Sequence, residues 1–196
     1  MSDYAVARET RARPAPSAGW WGMAVFVAAE AMLFALLVGS YFYLRFKTAI
    51  WPPHGIPEPK VVVPLVLLGV LLLTSVPMQL ASRAASQARL GRARALILLA
   101  LVVQTGYFAM QVHEYAGDLA HFSPQTNAYG SIYFTLLGAD HAHVFVGLLF
   151  DAWLLLKLLG GLTAYRLRAV RAVAFYWHAV NVITLVVVLT ELSARL

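Results

Sequence analysis

The 196-residue chain contains no cysteine and few charged side chains. Without cysteine it cannot form disulfides, iron–sulfur clusters, covalently attached c-type haem, or thiolate sites for zinc or copper. Charged residues make up only 12% of the sequence, whereas hydrophobic residues make up 61% and the mean hydropathy is +0.71. Such a composition is typical of a membrane protein and leaves no room for a large soluble domain.

Five apolar segments follow one another, and each is long enough to cross the hydrocarbon core of a bilayer. They cover roughly residues 20–46, 61–84, 93–115, 129–159 and 169–192. Turn-forming or arginine-rich stretches separate them, and Pro77 predicts a kink in the last turns of the second segment. The sequence therefore predicts an all-α, polytopic membrane protein: a polar tail over residues 1–19, then a bundle of five transmembrane helices over residues 20–196.

The basic residues predict how the bundle is oriented. Eleven of the 15 lysine and arginine residues lie in the N-terminal tail or around the second and fourth connections, and four lie on the opposite side. Because short cytoplasmic segments carry an excess of these residues, we expect the N-terminus inside and the C-terminus outside. The same placement explains the net charge of +6 without a nucleic-acid partner, and we expect none.

Glu30 lies near the middle of the first predicted span, with only apolar residues within one helical turn. Placing an ionisable group at this depth costs on the order of 3 kcal/mol or more, so such residues usually mark function. Two interpretations are open. The carboxyl is protonated and hydrogen-bonded to a neighbouring helix, or it lines a lipid-filled cleft and exchanges protons.

Polar residues on three other spans form stripes, as judged at 100° per residue. The stripes contain Gln104, Tyr107, Gln111 and Glu114 on the third span, Tyr133, Asp140, His143 and Asp151 on the fourth, and Arg171, Phe175, His178 and Asn181 on the fifth. We expect them to face other helices, because lipid tails offer polar groups no partners. Within the fourth-span stripe, Gly147 predicts a close helix approach, and Glu114 lies at a helix end that reaches the headgroup region.

The histidines raise the question of a metal or haem. His141 and His143 point about 200° apart on a helix, so they cannot bind one ion together. Haem ligation between His143 and His178 on facing helices remains open, and with it an independent membrane cytochrome; a transporter that uses the polar stripes is a further alternative. We expect no metal or redox cofactor in this chain.

Several motifs, in order from about Trp20 to Leu192, resemble subunit III of the haem–copper terminal oxidases. The motifs are Trp21-Gly22-Met23 through Glu30 to Arg45, Gln111-Val112-His113-Glu114-Tyr115, Tyr129-Gly130-Ser131-Ile132-Tyr133-Phe134, then Gly138, His143-Val144 and Gly147, and Phe175-Tyr176-Trp177-His178-Ala179-Val180-Asn181-Val182. Each motif is weak alone, and together they are specific. The order and spacing agree over nearly the whole chain.

The resemblance implies a five-helix form without the first two helices of the longer family members. It implies an accessory subunit that carries no redox centre, packs against the catalytic subunit I, holds phospholipid and supports proton uptake. Haem and copper are then expected in the partner subunits, and the location is a bacterial cytoplasmic membrane. By this analogy Glu30 is the family's intramembrane glutamate, and Glu114 and His143 are recurrent polar positions.

Three positions depart from the family pattern. Asp140 stands in place of the first histidine of His-Gly-Leu-His-Val, Asn181 in place of the carboxylate of Trp-His-Phe-Val-Asp, and Thr184 in place of a tryptophan. These departures are typical of a divergent branch. Since the family also includes subunits of quinol oxidases and a protein associated with nitric oxide reductases, both remain alternatives.

Overall fold

The computed structural model describes residues 18–195, which form helices joined by short connections. The helices are α1 Ala18–Phe46, α2 Val62–Leu73, α3 Ser75–Ser86, α4 Leu90–Leu119, α5 Ala128–Leu159 and α6 Ala164–Leu192, followed by a 3-10 turn at Ser193–Arg195. Helices α2 and α3 together make one span, so five stretches are long and apolar enough to cross a membrane. The predicted all-α bundle with five spans is confirmed.

Of the polar tail predicted over residues 1–19, residues 1–17 lie outside the described part of the chain, and α1 already includes Ala18 and Gly19. Helix α6 begins several residues before its apolar run, because the Thr163 side chain accepts a hydrogen bond from the Arg166 N–H at 3.2 Å and caps the helix there. An apolar run in the sequence marks the part of a helix that lies in the hydrocarbon core. The helix itself extends beyond that part into the polar region.

The sequence predicted a kink at Pro77, and the structure shows a break in the helix three residues earlier, at Thr74, where α2 ends and α3 begins. Proline has no N–H to donate to the carbonyl four residues before it, here that of Leu73, and its ring crowds that carbonyl. The Thr74 hydroxyl donates to the Leu71 carbonyl at 2.6 Å, so the side chain remains hydrogen-bonded within the break.

The second to fifth spans form a ring, and the first span, α1, lies outside it. Helix α4 packs on α3 and α5, and α6 packs on α5 and on both halves of the second span; within residues 18–195, α4 and α6 do not touch. Among the helices of residues 18–195, α1 packs only on α5 and α6, and Phe34 and Tyr41 are its buried residues. The remainder of α1 presents a long apolar surface to the surroundings of the bundle.

Gly147 allows α5 and α6 to approach closely, as the sequence predicted. A Cβ atom at this position would lie 2.6 Å from a ring carbon of Trp177, whose side chain is fully buried. No side chain larger than hydrogen fits between the two helices unless the indole moves. The contact therefore fixes the distance between the fourth and fifth spans.

The bundle has two ends, which we name by the termini of the described chain. The N-terminal end carries Ala18 and the connections 87–89 and 160–163, and the C-terminal end carries Arg195 and the connections 47–61 and 120–127. An aromatic cluster closes the C-terminal end around Trp51, Tyr129 and Tyr133. Consecutive spans run in opposite directions between these ends.

Candidate functional site

Glu30 and His143 meet across the interface between α1 and α5. The His143 Nε2 atom lies 2.7 Å from Glu30 Oε2, and the two side chains are 15% and 21% exposed. Glu30 is placed here because α1 packs against α5 near its middle, where the ring edge of Phe34 also contacts the imidazole. The only acidic residue of the first span thus has a partner on another helix.

The other imidazole nitrogen determines which protons this pair holds. The His143 Nδ1 atom lies 2.7 Å from the Ala139 carbonyl, which only accepts, so Nδ1 carries a hydrogen and donates it. One further proton then lies between Nε2 and the Glu30 carboxyl, either as a neutral acid and imidazole or as an ion pair. Both states have zero net charge, which limits the cost of keeping two ionisable groups in a membrane.

Two aromatic side chains support this pair. The Tyr176 hydroxyl donates to the His143 carbonyl at 2.8 Å, and the Tyr176 ring stacks on Phe26 of α1. The three helices that meet at the pair, α1, α5 and α6, are therefore joined by polar and aromatic contacts within about one turn of Glu30.

The positions that depart from the family pattern have partners of their own. Asp140 is 3% exposed and accepts a hydrogen bond from the Thr184 hydroxyl at 2.7 Å. Two departures thus form a single contact between α5 and α6. The third, Asn181, donates to the Ser75 hydroxyl at 2.7 Å and to the Leu71 carbonyl at 3.3 Å, next to the break at Thr74.

His178 lies apart from His143. Its Nδ1 and Nε2 atoms lie 3.3 Å from the Ser75 hydroxyl and the Gln79 side-chain oxygen, both on α3. His143 is bonded to α1, and α1 and α3 make no contact within the described chain. The structure therefore does not bring the two imidazoles together, and residues 18–195 contain no group of three or more His, Cys, Asp or Glu side chains arranged to hold a metal ion.

The third-span stripe divides between two kinds of contact. With its amide nitrogen turned toward Asp151, Gln104 donates to that carboxyl at 2.8 Å and to the Ala100 carbonyl at 3.1 Å, and its amide oxygen lies 3.3 Å from the Thr74 hydroxyl oxygen. Both Gln104 and Asp151 are fully buried, so they join three spans in the interior. Gln111 instead donates to the Tyr107 hydroxyl one turn earlier in its own helix, at 2.7 Å.

Glu114 forms an ion pair at the C-terminal end of the bundle. Its carboxylate lies 2.6 Å from the Lys60 ammonium, with side-chain exposures of 24% and 61%. The hydrogen bond from this carboxylate raises the pKa of Lys60 above its ordinary value of 10.5. Since the pair is largely solvated, its contribution to stability is small.

The sequence reasoning missed a buried carboxylate near the end of α6. Glu191 is 7% exposed, and its Oε1 atom lies 3.3 Å from the Tyr133 hydroxyl, which also lies 2.6 Å from Asp118 Oδ2. A signal was present: Glu191 follows Thr184 by seven residues and Tyr133 precedes Asp140 by seven, so each pair lies on one helical face. Acidic side chains near helix ends are usually solvated, and no motif of the sequence singled Glu191 out.

A groove opens at the N-terminal end between α1, α5 and α6. It has a volume of about 490 Å³ and is lined by apolar and aromatic side chains, among them Trp20, Phe150 and Trp153, with Arg168 at its edge. Arg168 forms no ion pair with an acidic side chain of residues 18–195. The groove therefore combines an apolar wall with a solvent-facing positive charge.

This fold, with five apolar spans and several ionisable residues paired between helices, is that of an integral polytopic membrane protein. Residues 14–192 match the family described as cytochrome c oxidase subunit III. Similar proteins are the cytochrome c oxidase subunits 3 of Struthio camelus, 31% identical over 177 residues, and of Lumbricus terrestris, 32% identical over 172 residues. The chain belongs to the cytochrome c oxidase subunit III family.

The similarity covers most of this chain and a smaller part of each relative. The Struthio camelus match covers 84% of the chain and 65% of the relative, and the Lumbricus terrestris match covers 83% and 65%. The chain thus spans just under two thirds of the length of these curated relatives. The resemblance stated from the sequence motifs is confirmed at the level of the family.

Proposed function

We propose that this chain is the accessory, non-catalytic subunit III of a respiratory haem–copper oxidase and packs beside the haem-bearing subunit I. The observation that carries the proposal is the family match over residues 14–192. Haem and copper belong to the partner subunits, where oxygen reduction takes place. The subunit resides in a bacterial cytoplasmic membrane, with its N-terminus inside, as the excess of basic residues at the N-terminal end supports.

The exposed surface of α1 supports a protein partner. Leu36 is 70% exposed and Met32 is 71% exposed, although both lie in the middle of the span. Lipid tails cover such a surface as well as protein does, so a purification of the native complex is needed to show whether a protein partner covers α1. We expect a haem-bearing subunit to copurify with an affinity-tagged form of this chain, and the purified complex to show the visible spectrum of a haem–copper oxidase.

The purification also separates the alternatives. A quinol-oxidizing or nitric oxide-reducing partner would place the chain in one of the related complexes. A Soret band that stays with the isolated chain would indicate an independent cytochrome and overturn the proposal. Recovery of the chain without any haem-bearing protein, from cells that respire with the oxidase, would do the same.

The groove at the N-terminal end supports phospholipid binding. Its apolar wall matches acyl chains, and Arg168 places a positive charge where an anionic headgroup lies. We expect Arg168→Gln to reduce the anionic phospholipid that copurifies, measured by mass spectrometry of lipid extracts. Arg92→Gln is the matched control, because Arg92 is an exposed arginine that does not line the groove. Equal lipid content in both variants would contradict the assignment.

The pair formed by Glu30 and His143 supports a role in sustaining proton uptake. It shares one proton between a carboxyl and an imidazole near the middle of the first span, where α1 packs against α5. Glu30→Gln keeps a donor toward His143 Nε2 and loses the exchangeable proton. We expect this variant to assemble and to begin turnover at the normal rate, and to lose activity earlier during prolonged oxygen consumption. Glu58→Gln, which alters an exposed carboxylate in a loop, is the control. An unchanged lifetime for Glu30→Gln would defeat the proton role and leave a structural one.

A further inference from the structure

The C-terminal end of the bundle contains a cavity, lined by apolar and ionisable side chains, that the proposed function does not use. It has a volume of about 230 Å³ and extends from the loop residues Glu58 and Lys60 to Asp140 in the interior of α5. A space of this size beside several carboxyl and hydroxyl groups holds several water molecules. Asp140 lies about 18 Å from the start of α5 at Ala128, measured along the helix. The cavity therefore connects the surface with a buried carboxyl well inside the span.

Tyr133 stands between two carboxyl groups on the wall of this cavity. Its hydroxyl oxygen lies 2.6 Å from Asp118 Oδ2 and 3.3 Å from Glu191 Oε1. A phenol has a single hydrogen to donate, so it satisfies only one carboxylate. If both carboxyls were ionised, the second contact would place two unshared oxygens against each other. The geometry requires one more proton than the tyrosine supplies.

Burial decides where this proton lies. Glu191 is 7% exposed, whereas Asp118 is only partly buried at the end of α4. The charged form of a carboxyl is penalised most where water is excluded. The short contact is then the tyrosine hydrogen donated to ionised Asp118, and the longer one is the Glu191 acid donated to the tyrosine oxygen.

A histidine on the same wall has hydrogen-bonding capacity that the described chain leaves unused. The Nδ1 atom of His141 bonds to the Leu137 carbonyl at 2.5 Å. Its Nε2 atom is buried and has no partner among residues 18–195, although His141 lines the cavity. Because this nitrogen is closed to water, water in the cavity exchanges protons with the lining residues Asp118, Tyr133 and Glu191 and not through His141.

We propose that Asp118, Tyr133 and Glu191 form a proton-holding site, which keeps one proton on Glu191 at neutral pH and exchanges it with solvent through the cavity. The site is independent of the proposed oxidase role. The cationic side chains near the site are Lys60, paired with Glu114, Arg45, bonded to Ser193, and Arg195, paired with Glu58. The ionisable groups facing the site from its neighbours are Tyr41 and Arg45 on α1, Glu58 and Lys60 in the loop, Tyr107, Glu114, Tyr115 and His121 on or next to α4, Tyr129, Asp140 and His141 on α5, and Arg195 after α6.

Infrared spectroscopy of the full chain in lipid nanodiscs tests the site. We expect a protonated-carboxyl band at neutral pH that shifts in heavy water, and Glu191→Gln removes one carboxyl equivalent from it. Glu114→Gln is the matched control, since it alters an ion-paired carboxylate on the same cavity and leaves the band unchanged. A spectrum of Glu191→Gln with the full band, or an equal loss in the control, would overturn the proposal.

One further variant keeps the test decisive if Glu191→Gln fails to fold. Tyr133→Phe removes the bridging oxygen, so the band moves to the frequency of a weaker hydrogen bond. An unmoved band in Tyr133→Phe would show that Glu191 is not bonded to the tyrosine in the membrane.

Discussion

Replacing Gly147 by alanine tests the closest contact between the fourth and fifth spans. The new Cβ would lie 2.6, 2.9 and 3.0 Å from three ring carbons of Trp177, and the indole is fully buried. Overpacking of this kind costs about 1–3 kcal/mol. The higher helix propensity of alanine offsets about 1 kcal/mol of that cost. We therefore expect a net loss of about 0–2 kcal/mol in the free energy of unfolding.

A matched control isolates the clash. Gly106 lies in the interior of α4, and a Cβ there meets no atom within 4 Å. Gly106→Ala gains the same helix propensity without the clash, so we expect it to be neutral or more stable by up to about 1 kcal/mol. The difference between the two variants, about 1–3 kcal/mol, is then the clash alone.

The assay is unfolding in mixed detergent micelles, followed by circular dichroism. Trp177→Phe removes the ring atoms nearest to Gly147, so the alanine should cost less in that background, as a double-mutant cycle measures. Equal stabilities of Gly147→Ala and Gly106→Ala would refute the argument. So would an alanine cost that stays the same when Trp177 is replaced, because the contact would then not be the cause.

Three further predictions concern single hydrogen bonds and ion pairs. Asp151→Leu should destabilise the bundle by about 1–3 kcal/mol, because it removes the carboxyl that accepts from the buried Gln104 amide. Asp151→Asn keeps an acceptor oxygen and should cost less. The free energies of unfolding in micelles measure both costs, and equal costs would contradict the contact. Asn127→Ala should cost about 1 kcal/mol by removing the cap of α5, and Asn127→Ser should restore most of it in the same assay; no loss for alanine would contradict capping. Lys60→Gln should cost less than about 1 kcal/mol, and less at high salt. Because the Glu114 carboxylate raises the pKa of Lys60, the pair's contribution is complete below pH 10.5 and is lost as the pH rises through the raised value; a wild-type advantage that persists at still higher pH would argue against the pair.

Glu30 shows how much of the candidate site could be predicted from the sequence. Its apolar surroundings within α1 predicted a costly carboxyl that needs either a partner on another helix or a role in a cleft, and the structure supplies His143 as a partner at 2.7 Å. The sequence could not name this partner, because which face of α5 meets α1 depends on the packing of all five spans. Whether Glu30 exchanges its proton in use stays a prediction.

The polar stripes show the same limit. Periodicity placed Asp140 and His143 on related faces of α5, yet in the bundle Asp140 bonds to α6 and His143 to α1. A helix inside a ring has several neighbours, and a stripe of about 80° can serve two of them. Asp140 and Thr184 stood out in the sequence as separate departures, and only their hydrogen bond revealed that they belong together.

By itself the sequence determined the class of this protein: long apolar runs specify membrane-spanning helices because hydrogen bonding within each segment is the only way to satisfy a backbone in lipid. It also determined the family, through motifs that keep their order and spacing. Only the tertiary structure decided which polar groups meet. Glu191 lies near a helix end, yet it is buried because the loop at 47–61 and the ends of α4 and α5 enclose it, and these neighbours lie far away along the chain.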